Sequence, residues 1–310
     1  MTYLNLVRYK NLLLLALMQL IFRYGFLKQQ DGYLALADWQ YFLLVLSTVL
    51  LAAAGYVIND IFDQETDTIN RPQRVIVGKT VSEAKAYNLY VGLNIIGVAI
   101  GFYLSNVIEK PSFATLFIFI AAGLYFYATT LKRMLLLGNL LVAFILGLSV
   151  LIIGVFDLYP ATYDGNRDQM GLLFKILVDY ATFAFVLNLI REITKDAEDV
   201  KGDYNQGMQT LPIVLGINRT TKVMSGLLLL AFAVILWYIN KHLMGFDLHY
   251  AALYVLFLVA GPLLFALIKS WNAKTNSDFH RLSRILKWVI FFGILSIAVI
   301  TYNIKINTNA

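Results

Sequence analysis

Apolar residues run along this chain in long blocks separated by short polar segments. Tyr41 to Ile58 and Leu135 to Phe156 hold no charged residue at all. A helix of about 20 apolar residues crosses the hydrocarbon core of a bilayer. The blocks predict nine such helices: Asn11–Leu27, Trp39–Asp60, Ala84–Leu104, Ser112–Thr129, Leu135–Phe156, Gly171–Ile190, Thr221–Tyr238, Tyr250–Ile268 and Leu286–Tyr302. The seventh has room to begin earlier, near Leu211, with Pro212 in its first turn. Barrel strands alternate lipid-facing and lumen-facing residues, and these blocks do not. The expected fold class is all-α: a polytopic membrane protein, with residues 1–310 forming a single bundle of nine transmembrane helices.

Composition sharpens this picture. Charged residues make up 14% of the chain, against about 25% in soluble domains, which excludes the soluble class. The absence of Cys excludes disulfides, thiolate metal sites and a cysteine nucleophile. His242, His249 and His280 fall in predicted loops, too scattered for a ligand cluster. The first block has no small-residue cleavage site after it, so it reads as a retained helix rather than a signal peptide. Of the 25 Lys and Arg residues, 18 fall on the side that carries Arg8 and Lys10, and 7 on the other. Basic loops stay cytoplasmic, so the N-terminus is expected in the cytoplasm, the C-terminus outside, and the protein in the inner membrane. Arg23, near the outer end of the first span, is expected to snorkel to the interface.

Ten of the 19 acidic residues crowd into two loops on the basic side, after spans two and six. Topology does not ask for them there. The first cluster, Asn59 to Arg74, reads NDIFDQETDTINRPQR. Asn59, Asp63 and Asp67 are four apart, so they share a face if the helix continues. Pro72 sets a limit on that continuation. The second cluster, Arg191 to Asp203, reads REITKDAEDVKGD. Asp196, Asp199 and Asp203 again share a helical face, extended by Glu192, and Gly202 suggests a frayed end at Asp203.

Rows of like charge repel, and near a bilayer the repulsion is poorly screened. They call for cations. Hard carboxylate oxygens suit Mg²⁺, which keeps part of its water and is typically shared with substrate phosphates. Two rows on one side of the membrane would clamp a diphosphate between them. A calcium loop does not fit, because its ligands alternate through 12 residues about a central glycine. The plain alternative is two hydrophilic loops holding one face in water, and it leaves both one-faced rows unexplained. Basic residues are interleaved with the acids: Arg71 and Arg74 after the first row, Arg191 and Lys195 within the second, Lys132 and Arg133 at the end of span four. Membrane anchoring accounts equally well for Lys132 and Arg133, and self-compensation of the acidic row for Arg191 and Lys195.

With these residues in view, the chain resembles the UbiA superfamily of intramembrane prenyltransferases. Asn59-Asp60-x-x-Asp63-x-x-x-Asp67 matches the first aspartate-rich motif of that family. Asp199-x-x-x-Asp203, preceded by Asp196, matches the second, and YATTLKR at Tyr127–Arg133 resembles the tyrosine–lysine segment that ends its fourth helix. DTINRPQRVIVGK, and the second motif followed by TLPIVLG, look like the branch that makes digeranylgeranylglyceryl phosphate. Val75 and Val77 depart from the common form of that branch.

The resemblance implies an active-site cavity on the cytoplasmic side and Mg²⁺ as cofactor. It implies an allylic prenyl diphosphate as donor and a lipid-soluble acceptor, with no nucleic-acid partner. Asn59, Asp63, Asp67, Asp196, Asp199 and Asp203 would ligate metal, with Asp60 as an alternate. Lys132 would join Asp63, Asp67, Asp199 and Asp203 in catalysis. Tyr127, Arg133, Asn188, Arg191, Lys195, Arg71 and Arg74 would meet substrate, and Arg8 and Lys10 an acidic acceptor. Small residues, Ala52 to Gly55 and Gly138, Asn139 and Gly147, would give the prenyl chain room, or simply let membrane helices pack closely. An aromatic or tetrapyrrole acceptor is the enzymatic alternative. A cation-coupled transporter is the non-enzymatic one, and would place its carboxylates at the bilayer midplane.

Overall fold

In hydrocarbon every backbone N–H and C=O needs an internal partner, and a helix supplies one for each within its own segment. This computed structural model describes residues 1–30, 32–70, 72–73 and 75–309, with only the backbone of Asn309. Among the described residues nine helices are long and apolar enough to cross a membrane: α1 (Tyr9–Gln29), α2 (Asp38–Phe62), α3 (Glu83–Val107), α4 (Pro111–Thr129), α5 (Leu137–Ala161), α6 (Arg167–Asn205), α7 (Ile217–Phe246), α8 (His249–Trp271) and α9 (Asn276–Thr308). The only strand-like pairing among those residues is an isolated bridge between Val77 and Val81. The chain is a polytopic membrane protein of the all-α class.

Two apolar cores meet along α6. Phe22, Tyr41, Phe117 and Phe156 pack with Leu177 in one core, while Ile190 packs with Leu228, Leu263 and Leu286 in the other. A third, smaller cluster sits at the carboxylate end, where Val77 and Val81 tuck the loop after the first motif against Leu6, Val57 and Ile58. Val77 is thus a core residue, which gives this departure from the common motif a packing role.

The apolar blocks mark where the membrane is, and the helices outrun them. The 39 residues of α6 extend about 58 Å at 1.5 Å per residue, nearly twice the roughly 30 Å hydrocarbon thickness. Its polar end therefore stands clear of the bilayer and carries the second acidic row. The end is not frayed at Gly202: the helix runs on to Asn205, and Asp203 is buried. Helix α9 starts ten residues before its apolar block. There Asp278 Oδ2 accepts from the Thr275 N–H (3.0 Å), and Thr275 Oγ1 accepts from the Asp278 N–H (3.2 Å), a reciprocal cap. His280 consequently lies on a helix, as do His242 and His249, rather than in loops. Leu211–Leu215 is a separate short helix with Pro212 in its first turn, cut off from α7 by Gly216 at φ +79°.

Arg23 does not snorkel. Its side chain is 1% exposed and donates to Asp157 Oδ2 (2.6 Å) and to the Leu36 carbonyl (2.6 Å), with its guanidinium 4.4 Å from the centre of the Tyr41 ring. Asp157 also accepts from the Leu36 N–H (3.0 Å). Arg23 also reaches Asp38 Oδ1 (3.2 Å), and a cation paired with carboxylates is cheaper to bury than a lone one, although the Arg23 Nε has no hydrogen-bond partner. The clasp ties α1, α5 and the segment before α2 at the end of the bundle away from the motifs.

Candidate active site

The first motif lies where α2 ends. Asp63 closes the helix at φ −95°, ψ 6°, and a second short helix, Gln64–Asn70, follows at once. Four-residue hydrogen bonding continues through this break, from the Asp63 N–H to Asn59 O (2.9 Å) and the Asp67 N–H to Asp63 O (2.8 Å). The spacing of Asn59, Asp63 and Asp67 therefore survives, though not on one straight helix. The second motif needs no such device, because Asp196, Asp199 and Asp203 all belong to α6.

Asn70 joins the two. Its Nδ2 donates to the backbone carbonyl of Asp199 (3.0 Å), and its Oδ1 accepts from the Gly202 N–H (2.9 Å). A Cβ on Gly202 would come within 2.4 Å of the Asn70 side chain, so only glycine admits this approach. A second link runs through α4. Lys132 forms an ion pair with Asp63, and the Tyr127 hydroxyl lies in the combined field of Glu192, Asp196 and Asp63. A third comes from α5, where Asn139 Nδ2 donates to Asp196 Oδ2 (2.7 Å). Asn139 thus contacts the second acidic row directly. Gly138 allows that position, since a Cβ there would meet the backbone of Lys132 at 2.8 Å.

Arg8 and Asp60 pair with each other at 2.8 Å. Arg8 adopts a left-handed backbone, φ 52°, at the start of α1, with its guanidinium 5.0 Å from the Tyr56 ring centre. Partial burial disfavours its charge, but Asp60 outweighs that and holds the pKa above its ordinary value. Glu192 is buried between Lys195 (2.5 Å) and Arg191 (3.8 Å). Lys10 is exposed over its neighbour Tyr9, and Arg133 is exposed, its backbone carbonyl accepting from Gln209 (2.8 Å). Asn188 donates to Ala184 O in its own helix (2.8 Å). Arg71 and Arg74 lie outside the described residues.

The donor set suits a hard divalent cation. All six proposed ligands offer oxygen, and Asn59 Oδ1 is buried with no hydrogen-bond partner. Among the described residues no three Asp, Glu or His side chains stand close enough to hold one ion as they are. Instead the Lys132 ammonium lies against Asp63. That Asp63 oxygen is in contact with positive charge already, and Asn59 Nδ2 donates to the other (2.5 Å).

Directly below this end of the bundle opens an apolar cavity lined from α1, α2 and α5 to α9. Its wall includes Leu14, Leu15, Phe183, Leu187 and Ile290, and its depth runs along α6 from Arg191 to Asp179. Sequence reasoning missed Asn70 and Asn139 as members of the site. The signal available was weak: an amide three residues beyond Asp67, and another at the start of an otherwise apolar span.

Two linked carboxylate rows thus stand at one end of a membrane bundle that encloses an apolar cavity. The UbiA prenyltransferase family model matches residues 19–299, and the chain belongs to that family. It is 35% identical over 263 residues to digeranylgeranylglyceryl phosphate synthase of Saccharolobus solfataricus, covering 85% of each chain. It is 31% identical over 265 residues to the synthase of the same name from Methanobrevibacter smithii, covering 84% of this chain and 87% of that one. Among solved structures, the fold is similar to one from a study of digeranylgeranylglyceryl phosphate synthase in membranes, with a TM-score of 0.62, 23% identity and 98% of each chain covered. It is also similar to a UbiA homolog from Archaeoglobus fulgidus bound to GPP and Mg²⁺, with a TM-score of 0.58, 14% identity, and 96% and 99% covered.

Proposed function

We propose that this protein transfers a prenyl group, geranylgeranyl, from an allylic diphosphate to the hydroxyl of a prenylglyceryl phosphate, giving an ether lipid and diphosphate. The observation that carries the proposal is the Asn70 bridge, which holds both aspartate motifs together over the apolar cavity. The names of the relatives add the acceptor class.

In this reading Asn59, Asp63 and Asp67 on one side, and Asp196, Asp199 and Asp203 on the other, hold Mg²⁺, with Asp60 as an alternate ligand. Bound Mg²⁺ would neutralise the charge that collects on the leaving diphosphate. The C1–O bond of the donor breaks and its electron pair stays on the diphosphate, the acceptor hydroxyl oxygen attacks C1, and the hydroxyl proton passes to the released diphosphate. Lys132 serves that departure, since a cation aimed at developing negative charge lowers the barrier more than one that binds the ground state. Lys195 and Arg133 take diphosphate oxygens, with Arg71 and Arg74 assigned a phosphate from sequence, and Arg191, which lines the cavity, meets a substrate phosphate there. Tyr127 lines the reacting region, and Arg8 orders it by fixing Asp60 and the Tyr56 ring. The cavity shelters hydrocarbon, each buried CH₂ contributing about 0.8 kcal/mol. The motifs face the cytoplasm, in keeping with the basic bias of that side.

The test is product analysis with labelled geranylgeranyl diphosphate and Mg²⁺, offering geranylgeranylglyceryl phosphate and aromatic acids in parallel. Ether lipid formation from the glyceryl phosphate is expected. Transfer only to an aromatic ring would replace this acceptor, and no transfer to either would remove the reading.

A further inference from the structure

At its upper end the cavity is not apolar. Asn11 of α1, Tyr56 of α2, Arg191 of α6 and Lys287 of α9 all line it there. Lys287 Nζ donates to Asn11 Oδ1 (2.8 Å), and Asn11 Nδ2 donates to the Tyr56 hydroxyl (3.2 Å). Among the described residues no carboxylate lies within ion-pairing distance of Lys287, whose charged neighbours Arg191 and Lys10 both repel it. The one carboxylate within ion-pairing distance of Arg191 among the described residues is Glu192, at 3.8 Å, and it is held more closely by Lys195. The Arg191 Nε is buried with no hydrogen-bond partner.

Two cations lining the same end of an apolar cavity repel, and the buried Arg191 Nε costs free energy while it has no acceptor. A membrane anchor would point its ammonium at headgroups, whereas Lys287 lines the cavity. An anion carrying a hydrocarbon tail resolves both costs. A phosphate monoester bears nearly two negative charges and three acceptor oxygens, which matches a guanidinium fork, an ammonium and two neutral polar groups. These four residues carry no metal-ligating carboxylate, which separates them from the diphosphate region. Between Arg191 and Asp179 the cavity follows α6 for 12 residues, about 18 Å, a depth suited to one long chain.

We propose that Arg191 and Lys287, with Asn11 and Tyr56, form the seat of the acceptor phosphate, and that Lys287 is a specificity residue for phosphorylated over unphosphorylated glycerol lipids. This rests on the transfer reading above for the identity of the ligand as acceptor, but not for its binding.

The experiment measures binding to the full chain in phosphatidylcholine nanodiscs. The probes are 1-oleoyl lysophosphatidic acid, 1-monooleoylglycerol, inorganic phosphate and geranylgeranyl diphosphate with Mg²⁺. A charge-assisted contact is worth about tenfold in affinity. Wild type is expected to prefer lysophosphatidic acid over monooleoylglycerol by at least that much, and Lys287→Gln to lose about tenfold of the preference. Lys287→Arg should restore it, with geranylgeranyl diphosphate binding changed less than about twofold. Equal losses for both glycerol lipids, a loss confined to geranylgeranyl diphosphate, or inorganic phosphate binding as tightly as the lipid would each overturn the proposal. Should the lysophosphatidic acid preference depend on Lys287 while no acceptor is ever prenylated, the phosphate seat stands and the transfer reading falls.

Discussion

Asn70 and Gly202 fit together as side chain and backbone: the amide oxygen accepts from the Gly202 N–H at 2.9 Å, and no Cβ intervenes. Through this contact the last residue of the short helix after the first motif fixes the height of the second. The metal-ligand roles proposed for Asp63 and Asp199 both depend on that alignment.

Gly202→Ala is expected to slow transfer by about tenfold or more, through a clash costing about 1–3 kcal/mol. Asn70→Ala should give a comparable loss by removing two hydrogen bonds of about 1 kcal/mol each. Because both changes break one contact, the double variant should be little worse than either single one. A double-mutant cycle on turnover and thermal unfolding measures this, and strict additivity would show that the contact does not couple the motifs.

Asp199→Ala and Asp63→Asn should reduce turnover by at least about 10²-fold, the scale of losing one electrostatic stabiliser. The unfolding temperature should change little, since neither carboxylate is part of an apolar core. Kinetics beside size-exclusion profiles check this. Turnover near that of wild type in both would remove the ligand roles.

Chelation should abolish transfer, and Mg²⁺ should restore it. Lys132→Met should raise the Mg²⁺ concentration needed for half-maximal rate if its ammonium helps order Asp63, or lower it if the ammonium competes with the ion. An unchanged requirement would disconnect Lys132 from the metal region.

At the other end of the bundle, Arg23→Met should destabilise by about 3–5 kcal/mol, because it leaves the buried Asp157 without its cation, and Asp157→Leu by less, because Arg23 keeps the half-exposed Asp38 at 3.2 Å. The double variant Arg23→Met/Asp157→Leu should recover most of that loss. Unfolding of the three variants in the same detergent decides it, and a double variant no better than the singles would contradict the pairing.

The sequence by itself determined the class of fold and the number of spans, because hydrocarbon admits only long runs of apolar residues and those runs are local. It also determined the two acidic rows, since helical spacing places Asp196, Asp199 and Asp203 on one face before any tertiary contact exists. It did not reveal how far α6 and α9 continue beyond the membrane, because polar residues of good helix propensity extend a helix without leaving a hydrophobic mark. The Thr275–Asp278 cap was the one local signal for α9. Only the tertiary structure decided that Arg23 meets Asp157, 134 residues away, and that Asn139 turns to Asp196. Only it could bring Asn11, Arg191 and Lys287 to one rim. Such pairings depend on how helices rotate and pack, and a nearly uniform apolar surface does not encode which face turns inward.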